Sequence, residues 1–89
     1  MPQIKTRLID IEPKQDKNRN SFYKLTLSNL GEPFYAFATD YNLKEATLRL
    51  LKESPEKLVN QLVLITYEEV PNKEREGTFK KVREIELLP

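Results

Sequence analysis

The chain has no cysteine and no histidine. Without cysteine there is neither a disulfide nor a thiolate nucleophile. Without histidine the commonest general base and the commonest transition-metal ligand are both missing. A nucleophilic triad, a zinc site and a histidine-based acid–base mechanism are therefore excluded for these 89 residues. Glycine is scarce too: the only two, Gly31 and Gly77, both sit in turn-like surroundings, so there is no glycine-rich phosphate loop. No apolar run approaches the length of a transmembrane helix, and the opening Met-Pro-Gln-Ile-Lys lacks the long apolar stretch of a signal peptide. The expectation is a cytoplasmic protein with no membrane partner. An excess of one charge is also missing. Fifteen Lys and Arg face 14 Asp and Glu, a net charge of +1. A strongly basic balance would by itself point to nucleic acid. Here any such reading rests on where the charges sit.

What is present suits one small domain spanning 1–89. Hydrophobic residues make up 38% and charged residues 33%, so the core is modest. A chain of this size buries roughly 60–65% of its unfolded surface on folding. Residues 4–12 alternate as a strand, with Ile4, Thr6 and Leu8 on one face. The run Leu8-Ile9-Asp10-Ile11 then changes phase, which predicts a bulge or bend, and Pro13 is expected to end the strand. Residues 13–20 (PKQDKNRN) read as a polar loop carrying Lys14, Lys17 and Arg19 against the single acid Asp16.

Residues 21–30 form a second strand, with Tyr23, Leu25 and Leu27 on one face and Phe22, Lys24, Thr26 and Ser28 on the other. A hairpin connection follows, with Gly31 the expected residue at positive φ. Residues 34–39 form a third strand: Phe34, Ala36 and Ala38 on one side, Tyr35, Phe37 and Thr39 on the other. The period then becomes helical. Leu43, Ala46, Thr47, Leu50 and Leu51 fall on one stripe, and Asn42 with Glu45 suggests a capping box. Ser54-Pro55-Glu56 starts a second short helix. Strands are expected over 62–69 and 78–88, joined by the polar loop 70–77. Phe79 and Val82 cannot both face inward on a regular last strand, which predicts a second bulge there. Glu68, Glu69, Glu84 and Glu86 read as solvated acids that discourage edge pairing. The order β-β-β-α-β-β makes an all-β domain with one helix, the layout of the five-stranded Greek-key barrel called the OB-fold.

The stretch 22–40 (FYKLTLSNLGEPFYAFATD) resembles the hairpin of strands two and three in single-stranded-DNA-binding OB domains, such as those of replication protein A. The resemblance implies an OB barrel that binds single-stranded DNA or RNA without catalysis and without a cofactor. It also implies outward, base-contacting positions at Lys24 and Thr26 on strand two and at Tyr35, Phe37 and Thr39 on strand three. The loop between strands one and two would contribute Lys14, Lys17 and Arg19, and the loop between strands four and five Lys73 and Arg75. Glu74 and Glu76 in that last loop depart from a purely basic clamp.

The chemistry fits this implication. Non-specific binding of a single strand needs aromatic faces for bases and cations along the backbone path. Tyr35, Phe37 and Phe22 offer the first, and Lys24 and the neighbouring loop the second. The competing reading is that Tyr35 and Phe37 are covered by protein, as in an oligomerisation or partner-docking OB module, where burying two aromatics is stabilising with no ligand at all.

Overall fold

In a computed structural model describing residues 1–28, 30–74 and 76–89, the chain is a closed barrel with strands in the order β1-β2-β3-β5-β4. The strands are β1 (Gln3–Gln15), β2 (Ser21–Leu27), β3 (Phe34–Phe37), β4 (Leu62–Pro71) and β5 (Thr78–Leu87). Helix α1 (Glu45–Glu53) and a 3-10 turn (Pro55–Lys57) lie between β3 and β4. Every neighbouring pair is antiparallel except β3 with β5, which is parallel. The first half of β1 pairs with β4 and the second half with β2, so one long strand joins both sides of the barrel. No helix among the described residues is long and apolar enough to cross a membrane.

Alternation explains the core. Leu8, Tyr23, Leu25, Leu27, Phe34, Ala36, Val63, Ile65, Val82 and Ile85 point inward and are buried. The phase change in β1 falls where the sequence breaks; in β5 no bulge separates Phe79 from Val82, and the insertion falls at Arg83 instead, each bulge being one residue. In β1, Leu8 faces Leu27 and Asp10 faces Thr26, so Ile9 is the extra residue. In β5, Thr66 faces Glu84 and Tyr67 faces Val82, so Arg83 is the extra residue. The bulge at Arg83 lets Val82 and Ile85 both face inward, while Phe79 points outward.

Pro13 does not end β1, which continues to Gln15. Beyond Arg7 this strand has β2 on one side only, and proline tolerates such an edge because a missing N–H there breaks no ladder. The polar loop is correspondingly shorter than the composition suggests, since Lys14 and Gln15 belong to the strand. Gly31 does not adopt positive φ; Gly77 does, at 102°. Asn29, in the same hairpin connection, lies outside the described residues.

Helix α1 fills a gap in the sheet. β3 reaches only two residues of β5, pairing Phe34 with Lys80 and Tyr35 with Lys81. Farther along β5, α1 supplies the partners. The Lys44 N–H donates to the Arg83 carbonyl (2.9 Å), and the Ile85 N–H donates to the buried Thr47 hydroxyl (3.1 Å). Thr47, Leu43 and Leu51, spaced four apart, form the buried stripe, flanked by Leu48 and Leu50; Ala46 is exposed. Asn42 is not the cap. Lys44 occupies that position, and Asn42 instead donates its N–H to the Asp40 carboxylate (3.0 Å). Ser54 does precede the 3-10 turn, with Pro55 at its first position. Near one end of the barrel, Lys80 pairs with Glu32 of the hairpin and with Glu69 of β4 (3.1 Å). These hydrogen bonds, that to Glu32 first, raise its pKa. Glu68 pairs with Arg83, so neither Glu68 nor Glu69 is merely a solvated acid.

Thr47→Val keeps the shape but leaves the Ile85 N–H without an acceptor. A buried donor deprived of its partner costs about 1–3 kcal/mol. Urea denaturation of Thr47→Val is expected to show a loss of that size at unchanged slope. A variant as stable as the parent would mean that the bond contributes nothing.

Candidate functional site

The outer face of the barrel wall is built in rows, because residues paired across a ladder point to the same side. One row runs Glu12, Lys24, Tyr35, Lys81, Glu68 across β1, β2, β3, β5 and β4. In the next, Lys14 faces Phe22 and Phe22 faces Phe37, while Phe79 faces Val70 on the far side. The bulge at Ile9 sets this parity for β1: without it Lys14 and Glu12 would point inward.

The rings meet. Phe22 lies 5.7 Å from Phe37 and 6.2 Å from Tyr35, centroid to centroid. Tyr35 and Phe37 stack at 6.4 Å with 28° between their planes. Phe79 stands edge-on to both, at 6.0 Å and 5.8 Å. All four rings are partly exposed. They floor a groove of about 850 Å³. One wall comes from the β1–β2 loop through Asp16 and Asn18, the other from Pro71 at the end of β4 and from the β4–β5 loop through Asn72, Lys73 and Glu74. Phe79 was missed in the alternation pattern. Its signal was its three-residue offset from Val82, which puts the two on opposite faces of a regular strand.

The other sequence-predicted positions divide. Phe22, Tyr35, Phe37 and Lys73 line the groove. Lys14, Lys24 and Thr26 share the outer face with the rings but stand beside the groove. Lys17 and Arg19 are exposed on the β1–β2 loop, Arg19 with φ at 64°. Thr39 is exposed beyond the end of β3 and does not line the groove. Arg75 lies outside the described residues.

Charges around the floor are largely compensated. Lys14 is 3.5 Å from Glu12, and Lys81 is 3.4 Å from Asp40. Asp16 and Glu74 add carboxylates to the walls. Asp16 organises its own loop. Its Oδ1 accepts the N–H groups of Asn18 (2.8 Å) and Asn20 (2.9 Å). These bonds, that from Asn20 first, hold its carboxyl below the usual carboxylate range. Among the described residues no three metal-ligating side chains converge on a point. The site offers stacking surfaces and a few charges.

A depressed carboxylate pKa stabilises the folded loop above the group's ordinary pKa, and that contribution disappears as pH falls through the lowered value. The Asp16 carboxyl is therefore expected to titrate below the ordinary aspartate value in a carbon-detected NMR titration. Asp16→Ala should speed amide exchange at Asn18 and Asn20 at neutral pH; unchanged exchange would show that the loop is held otherwise. No family model matches this chain, and neither does any curated protein or solved structure.

Proposed function

We propose that this barrel is an OB-type domain that binds single-stranded nucleic acid, DNA in the first instance, without catalysis. The observation that carries the reading is the floor of Phe22, Tyr35, Phe37 and Phe79, set in a groove between two polar loops. Unpaired bases have π-faces, and a strand laid along the groove places them on these rings. Such stacking contributes about 1–3 kcal/mol per base and tolerates any sequence. Lys73 at the groove wall, Lys17 and Arg19 on the opposite loop, and Lys14 and Lys24 beside the rings meet the phosphates. Arg75 is proposed with them from its place in the β4–β5 loop.

The carboxylates of Asp16 and Glu74 on the groove walls favour a second reading, an aromatic face that docks a protein partner or a second copy of the chain. The two differ in what relieves ring exposure: a base or a side chain.

Fluorescence anisotropy with labelled dT oligomers at low salt tests the first reading. Tyr35→Ala and Phe37→Ala are each expected to weaken binding by about 5- to 150-fold, the equivalent of one lost stacked base. Absence of binding at low salt, or affinity indifferent to both substitutions, overturns it. A dimer by light scattering that dissociates on Phe37→Ala would favour the protein-docking reading.

A further inference from the structure

Lys81 is the strand cation that lines the groove, directly beside Tyr35 on the β3–β5 ladder. It is the obvious phosphate ligand, yet its charge is already spoken for. Its ammonium lies 3.4 Å from Oδ2 of Asp40, a carboxylate whose side chain is only 6% exposed. That oxygen is buried and accepts no hydrogen bond. The rest of Asp40 is fixed by its turn. Its N–H donates to the Phe37 carbonyl (3.0 Å), its carbonyl accepts from Leu43 (3.0 Å), and Oδ1 accepts from Asn42 (3.0 Å). Swinging the carboxylate out to water would break the Asn42 bond.

We propose that Asp40 is the internal counter-ion of Lys81, a positioning residue that stops the groove floor from gripping phosphate. The floor then takes bases by stacking alone, and the phosphate contacts fall to the loops. This rests on the nucleic-acid reading above. The physical reason is the imbalance in burial. A phosphate that drew Lys81 away would leave a buried carboxylate oxygen with neither a hydrogen bond nor a counter-charge, the costly half of a broken buried pair. It would also approach Glu68, which faces Lys81 across the β4–β5 ladder. The Lys14–Glu12 pair is different in kind: both its side chains are 44% exposed, so water replaces either partner readily.

Salt dependence reads this directly. For single strands, log K falls with log salt by about 0.7 per phosphate neutralised. The experiment compares binding of a dT oligomer by the parent, by Asp40→Asn, and by the double variant Asp40→Asn with Lys81→Gln, over a range of sodium chloride. Asparagine keeps an acceptor for the Asn42 N–H, and the double variant leaves no unpaired buried charge. Circular dichroism establishes that each is folded. Asp40→Asn frees the ammonium, so its slope is expected to steepen by about 0.7, an extra ~2- to 3-fold loss of affinity between 50 and 200 mM salt. The double variant is expected to keep the parent's slope. A double variant shallower than the parent by about 0.7 would show that Lys81 already holds a phosphate, and overturns the inference. So does an Asp40→Asn slope equal to the parent's. If none of the three proteins binds at low salt, the nucleic-acid reading falls and takes this inference with it; salt-dependent binding with the wrong pattern of slopes removes the inference alone.

Discussion

The seam between β3 and β5 is the constraint on which the barrel depends. Closing five strands requires β3 to meet β5 in parallel, yet β3 has only four residues and the ladder spans two residue pairs. Past Lys81, β5 has backbone groups on that flank that the ladder does not reach. Buried backbone groups without partners are expensive, so something other than a strand must supply them. Helix α1 does so with one backbone donor, at Lys44, and one side-chain acceptor, at Thr47. The Asp40–Lys81 pair spans the same seam at the point where β3 has ended. The helix is thus less an ornament on the barrel than the continuation of its shortest wall.

Parity decides what that wall displays. A strand has period two, so one inserted residue exchanges its faces. Ile9 and Arg83 are such residues, and each serves a different end. Ile9 turns Ile11 inward and brings Lys14 and Glu12 to the outer face, beside the rings. Arg83 lets β5 bury both Val82 and Ile85 while its carbonyl turns to the helix. Phe79 lies before the second bulge and needs no correction: it points out because Val82 points in. The four-ring floor follows from three strands keeping phase with one another where they pair.

Much of this was legible in the residues. Alternation in β2 and β3 places Tyr23, Leu25, Leu27, Phe34 and Ala36 inside and leaves Phe22, Tyr35 and Phe37 outside, because both strands are regular. The broken phase at Leu8-Ile9-Asp10 betrays the first bulge. What was hidden depends on neighbours. Pro13 ends a strand only where both flanks are paired, and the second half of β1 has one free flank. Asn42 and Glu45 have capping-box spacing, but Asp40 captures the Asn42 N–H in a turn before the helix begins. The offset from Val82 places Phe79 outward, but its position among the other rings depends on a parallel pairing between strands more than forty residues apart, which no local pattern announces. The groove walls are hidden for the same reason: the cations of the β1–β2 loop stand out in the sequence, while the residues that line the groove from that loop are Asp16 and Asn18.

Charge compensation connects the fold to the proposed ligand. Pairs formed inside the fold remove cations and carboxylates together and leave the net charge at +1, so what bears on the proposed reading is where the remaining cations sit. Lys80, Lys81 and Arg83, three of four consecutive residues on β5, are each paired with an acid across the barrel wall. They bind strand to strand or turn to strand, and their charge is spent inside the fold. Stacking is a short-range interaction that salt screens little, whereas phosphate attraction is long-range and salt-sensitive. On the nucleic-acid reading proposed above, a floor built this way separates the two: rings would hold bases at a fixed place on the wall, and the loops would supply the long-range attraction. The seam that most needs reinforcement is also where a free cation would have altered the character of the site. A single buried carboxylate at Asp40 meets both requirements.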